Sequence, residues 1–122
     1  MSITLSSVII DAAEIEAESA FWHRLLGGSI TRTPTHHFIQ APDLPVIVVQ
    51  SAPEHVAPSW PDGTSQQIHL DFDVEDLATA DRTATDSGAT RLRPTEQITP
   101  ETRTSSRVYA SPAGHPFCLR AT

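Results

Sequence analysis

The sequence contains no lysine: its basic side chains are eight arginines, set against fifteen carboxylates, for a formal net charge of −7. The arginines form no stripe. Non-specific nucleic-acid affinity comes largely from neutralised phosphates, so a DNA or RNA partner is not expected. A single cysteine, Cys118, excludes an internal disulfide and fits a reducing compartment, with the cytoplasm as the expected location. No apolar run reaches the roughly 18 residues that a membrane helix needs. The N-terminus has no basic segment followed by an apolar core, so neither a membrane span nor a secretory signal is expected. What remains is a chain of 122 residues, 39% hydrophobic, enough for one packed core.

A faint internal repeat organises that chain. Residues 5–15 and 67–77 align with Ser7 over His69, so that Val8 and Ile10 match Leu70 and Phe72, and Glu14 matches Asp76. Both segments alternate apolar and polar residues, as a strand with one buried face does, and then turn acidic as at a helix start. Residues 14–26 and 75–87 follow as helices, the first with an apolar stripe of Phe21, Leu25 and Leu26. Gly27, Gly28 and Gly88 supply the stops. Strands are expected at 29–33, 36–41 and 45–50 in the first half, and at 90–93, 107–111 and 116–120 in the second. Segment 95–106 is polar and reads as a loop. The expected organisation is α+β: a single domain of two βαβββ modules, at about 1–52 and 66–122, joined by a linker at 53–65 that contains Trp60.

Strand parity assigns the faces. Ile68, Leu70, Phe72 and Val74 should meet the helices, leaving His69, Asp71 and Asp73 on the other side. By the repeat, Ser7, Ile9 and Asp11 share the face of His69. Phe117 and Leu119 should be core, with Pro116, Cys118 and Arg120 opposite. A curved sheet would make this second face a cleft with a few polar groups among apolar ones, as in many small-molecule sites.

Several segments together carry a family resemblance. They are Phe21-Trp22 with Leu25-Leu26-Gly27, Ser59-Trp60-Pro61-Asp62, Gln66-Gln67-Ile68-His69-Leu70-Asp71, Ser87-Gly88-Ala89, and Pro112-Ala113-Gly114-His115-Pro116-Phe117-Cys118-Leu119. In this order the chain resembles the vicinal oxygen chelate superfamily, and more narrowly its glyoxalase-like and bleomycin-resistance-like members. The resemblance implies two βαβββ modules whose curved mixed sheet surrounds a cleft. It departs at Ser111, where the family usually has an aspartate that caps the turn. Metal-dependent members place four ligands on the opening and closing strands of the modules. Carried over, the positions are Ser7 and His69, then Val48 or Gln50, and Cys118. Only His69 and Cys118 are able ligands among these, so a divalent metal is disfavoured and no cofactor is expected.

The candidate site follows from the same carry-over. His69 is the candidate base, with Asp71 as its acid–base partner. Ser7, Gln50, Trp60, Arg107, Tyr109 and Cys118 are candidate ligand contacts. Each has a plainer reading: His69 as a strand histidine held by a carboxylate, Cys118 as a small buried hydrophobe, Trp60 as a linker anchor, Arg107 as a solvated strand end. His36, His37 and His55 lie near expected loops and read as surface histidines. The expected function is binding of a small organic molecule without a competent metal site. The alternative is a lyase, isomerase or dioxygenase of the same superfamily using His69. A homodimer is the expected assembly.

Overall fold

The computed structural model describes residues 1–122 except Gln66, Thr104 and Thr122. The chain divides into two compact units, Met1–Val56 and Ala57–Thr122. The boundary falls inside the segment expected as a linker.

The first unit opens with β1 (Ser7–Ala12), whose alternation puts Ile10 and Ala12 inside and Ile9 and Asp11 outside. Helix α1 (Ile15–Leu26) follows, with Glu16 and Glu18 in its first turn and His23 and Arg24 in its last, as the helix dipole favours. Its buried residues are Glu18, Ser19, Phe21 and Trp22. The two polar ones are satisfied internally: Glu18 accepts from Trp22 Nε1 at 2.9 Å, and Ser19 Oγ meets His37 Nδ1 at 2.7 Å. The helix ends as Gly27 turns to positive φ and its N–H reaches the His23 carbonyl. Gly28 is required by a close approach: a Cβ there would lie 2.1 Å from the Gln40 carbonyl oxygen.

Three strands complete the unit, β2 (Ser29–Arg32), β3 (His36–Gln40) and β4 (Val46–Ser51). The sheet order is β1-β4-β3-β2, with β1 parallel to β4 and the other pairs antiparallel. Helix α1 packs on β3 and β4. Phe21, Trp22, Ile39, Ile47 and Val49 are all buried, and full burial of such a side chain contributes on the order of 1.5–3 kcal/mol.

The second unit repeats the plan with β5 (Leu70–Val74), α2 (Leu77–Asp86), β6 (Thr90–Arg93), β7 (Ser106–Ala110) and β8 (Pro116–Ala121). Its sheet order is β5-β8-β7-β6, again with the first pair parallel and the rest antiparallel. Asp76 caps α2 by accepting from the N–H groups of Ala78 and Thr79, and the Thr79 hydroxyl together with these N–H groups holds its carboxyl below the ordinary value. Leu77, Asp81 and Ala84 form the buried stripe of the helix, which packs on β8. At the β7–β8 turn, Ser111 Oγ accepts the His115 N–H at 3.1 Å, so a hydroxyl caps the turn.

The fold is thus α+β, with two four-stranded mixed sheets, neither closed. Some local expectations need correction. β5 begins at Leu70, and Ile68 is 75% exposed instead of facing the helix. His37 is buried on β3, not at the surface, because Ser19 of α1 supplies a partner that sequence spacing does not reveal. Gln66, the first residue of the expected opening motif of module 2, lies outside the described residues.

Candidate functional site

Adjacent parallel strands bring three reactive side chains together. Asp71 on β5 pairs in register with Cys118 on β8, and His69 lies just before β5, two positions upstream on the same face. His69, Asp71 and Cys118 each offer a ligand atom within 4.8 Å of the others. Asp71 is the hub. His69 Nε2 lies 3.1 Å from its Oδ1, Arg120 Nη1 lies 4.0 Å from its Oδ2, and the Cys118 thiol is also hydrogen bonded to it. His69 and Asp71 are more than a third exposed. Desolvation, followed by the neighbouring Asp71, pushes the Cys118 thiol up to about 11, so at neutral pH the sulfur keeps its proton.

Matching strand registers locate the counterpart in the first unit. Ile9 pairs with Val48 as Asp71 pairs with Cys118, which makes Val48, not Gln50, the equivalent of Cys118. The corresponding trio is therefore Ser7, Ile9 and Val48, with no histidine, carboxylate or thiol. Gln50 is engaged elsewhere: its Nε2 donates to Asp11 at 3.4 Å, and its Oε1 meets His36 Nε2 at 3.2 Å. Phe38 pairs with Val48 on β3 and stacks on His36 with ring centres 6.2 Å apart. This face is apolar at Ile9, Val48 and Phe38, with a polar rim.

Two candidates lie on the other side of the second sheet. Tyr109 and Arg107 pair with Phe117 and Leu119, the core positions of β8, and both are fully buried. The Tyr109 hydroxyl donates to Asp81 at 2.7 Å; burial and that carboxylate raise its pKa well above the usual value. Asp81 also receives Arg91 Nε at 2.8 Å and Nη2 at 2.5 Å, and the guanidinium holds its carboxyl below the ordinary value. This Asp81–Arg91–Tyr109 network escaped the sequence reading. Its signal was an aspartate within the apolar stripe of α2. Trp60 is half-buried beside Pro61, and no hydrogen bond, ion pair or ring contact joins it to the His69 cluster among the described residues.

The donors do not fit the four-position metal site of metal-dependent relatives. Three donors stand in one unit, while the equivalent positions of the other carry a serine and two aliphatic side chains. The arrangement suits hydrogen bonding to a ligand and proton transfer at His69.

Two βαβββ units with this strand order define the glyoxalase/bleomycin resistance/dioxygenase fold of the vicinal oxygen chelate superfamily. The family model described as a glyoxalase-like domain matches residues 7–120, and the chain belongs to that family. Among solved structures, it is similar to a glyoxalase/bleomycin resistance protein/dioxygenase family enzyme from Burkholderia phytofirmans PsJN (19% identity, TM-score 0.72, 98% of each chain covered). A genomically encoded fosfomycin resistance protein, FosX, from Listeria monocytogenes is 14% identical with a TM-score of 0.73, over 100% of this chain and 93% of that one. A glyoxalase-related enzyme from Fulvimarina pelagi is 17% identical with a TM-score of 0.71, over 99% and 89%. At such identities the likeness establishes the fold, and one fold hosts many chemistries. No curated protein matches the chain. Among the described residues, no helix is long and apolar enough to cross a membrane.

Proposed function

We propose that the protein binds a small organic molecule on the β5–β8 face that carries His69, Asp71 and Cys118, without a resident divalent metal. The observation that carries this reading is the role of Asp71 as shared acceptor. It lies 3.1 Å from the imidazole and beside the thiol, while the matching positions of the first unit lack metal donors. An exposed carboxylate beside an imidazole can pair with a cationic or donor group of a ligand, and the net charge of −7 favours such a molecule. Trp60 belongs to the same reading as an aromatic face for the ligand. Pairing of two copies into a homodimer is also part of it, and sedimentation velocity reads the assembly directly.

A thermal-shift and calorimetric screen in the presence of EDTA tests the proposal. Small aromatic and cationic compounds come first, with fosfomycin and bleomycin included because structural neighbours include a fosfomycin resistance protein and a glyoxalase/bleomycin resistance protein. A bound compound should lose affinity in both His69→Ala and Asp71→Asn. Equal binding by both variants would remove this face as the site.

One observation favours a second reading, an enzyme of lyase, isomerase or dioxygenase type. The 3.1 Å contact of His69 with Asp71 orients the imidazole as a general base requires. Turnover that disappears in His69→Ala would move the account to that reading.

A further inference from the structure

Arg107 extends from β7 into the interior on the helix side of the second sheet, opposite Cys118, and is fully buried. Its Nη1 donates to the backbone carbonyl of Pro94 at 3.3 Å and to that of Glu96. Its Nε and Nη2 are buried and have no hydrogen-bond partner among the described residues. These two N–H groups lie on one edge of the guanidinium plane, spaced to grip two oxygens of one anion.

The neighbouring strand shows what such an edge takes. Arg91 on β6 uses its own Nε and Nη2 to hold both oxygens of Asp81. Asp81 Oδ1 also accepts the Tyr109 hydroxyl. It lies close enough for the Arg107 charge to act on it, but no hydrogen bond joins it to the Nε–Nη2 edge of Arg107. Two guanidinium groups therefore share one carboxylate, leaving a positive charge in the interior. Buried charges are ordinarily paired and buried N–H groups ordinarily bonded, so this edge lacks its complement.

We propose that the Nε–Nη2 edge of Arg107 binds a small oxyanion, a carboxylate or phosphate group, at a site separate from the His69 face. The anion makes two parallel hydrogen bonds and neutralises the excess charge beside Asp81. Because the edge is covered, entry requires local opening of the unit, and binding is slower than at a surface arginine. The site does not depend on the reading of His69, since the two lie on opposite faces of the sheet.

The test uses the whole chain labelled with ¹⁵N, in a chloride buffer free of oxyanions, observing the arginine Nε–H resonances. Sodium phosphate and sodium acetate are titrated separately, against sodium chloride at matched ionic strength. The expected result is a saturable shift of one buried Nε–H resonance with phosphate or with acetate, a Tm that rises with the same anion, and no response to chloride. Phosphate response assigns a phosphate group, and acetate response a carboxylate. The resonance and the Tm response should vanish in Arg107→Lys, which keeps the charge but not the fork, and persist in His69→Ala. Unshifted Nε–H signals with both oxyanions would overturn the proposal and assign the edge to trapped water. So would an equal Tm response in wild type and Arg107→Lys. If Arg107→Lys fails to fold, the wild-type titration alone decides.

Discussion

Asp71 and Cys118 stand opposite each other on the parallel ladder of β5 and β8, where burial first and the facing carboxylate second keep the thiol protonated. A side chain that reads as a nucleophile in the sequence is thereby kept in its unreactive form. With its pKa raised from 9.0 to about 11, Cys118 should alkylate with iodoacetamide at neutral pH roughly 10-fold more slowly than a free thiol, the lower thiolate fraction being partly offset by greater nucleophilicity. Asp71→Asn removes the neighbouring charge and should speed the reaction. A free-thiol rate in the wild type would contradict the arrangement.

The two faces of β5 and β8 should respond differently to truncation. Phe117 is fully buried and packs against Phe72 and Tyr109, so Phe117→Ala should cost about 3–5 kcal/mol. His69 is partly exposed and its ion pair is with the similarly accessible Asp71, so His69→Ala should change stability by about 0.5 kcal/mol or less. Urea unfolding measures both. Comparable losses would refute the assignment of faces.

Acid sensitivity should centre on Asp81. Its carboxyl is held below 3.8 chiefly by the Arg91 hydrogen bonds, so the folded state binds this proton less readily than the unfolded chain. The resulting stability is fully present above pH 3.8 and is lost as pH falls through the depressed value. Asp81→Asn should lower Tm at neutral pH and flatten its fall on acidification. An unchanged acid profile in the variant would show that the network does not set it.

Trp22 is buried against Glu18, whereas Trp60 is half-buried. In Trp22→Phe the remaining emission reports Trp60. A ligand that contacts it should change intensity or wavelength on binding. A saturating ligand that leaves emission unchanged assigns Trp60 to anchoring its segment.

Much of this architecture was legible from alternation and punctuation. The parity of Leu70, Phe72 and Val74 separated helix-facing from outward residues, and Asp76 marked the helix it caps. Long-range register was not legible. Arg107 and Tyr109 face the core because they pair with Leu119 and Phe117 across an antiparallel ladder, and no local pattern states that pairing. The choice between Val48 and Gln50 likewise required the β1–β4 register. His37 reads as a surface histidine in the sequence because its burial depends on Ser19, far away on α1. Asp81 was hidden because a carboxylate on an apolar stripe makes sense only once Arg91 and Tyr109 converge on it.

The most direct test of the central claim is the elemental metal content of untagged protein after exposure to Zn²⁺, Ni²⁺, Mn²⁺ and Fe²⁺ and exhaustive buffer exchange. The account predicts that no stoichiometric metal is retained, and that ligand affinity on the His69 face is the same with and without EDTA. About one tightly held ion per chain, absent from His69→Ala, would contradict it and make His69, Asp71 and Cys118 a metal centre.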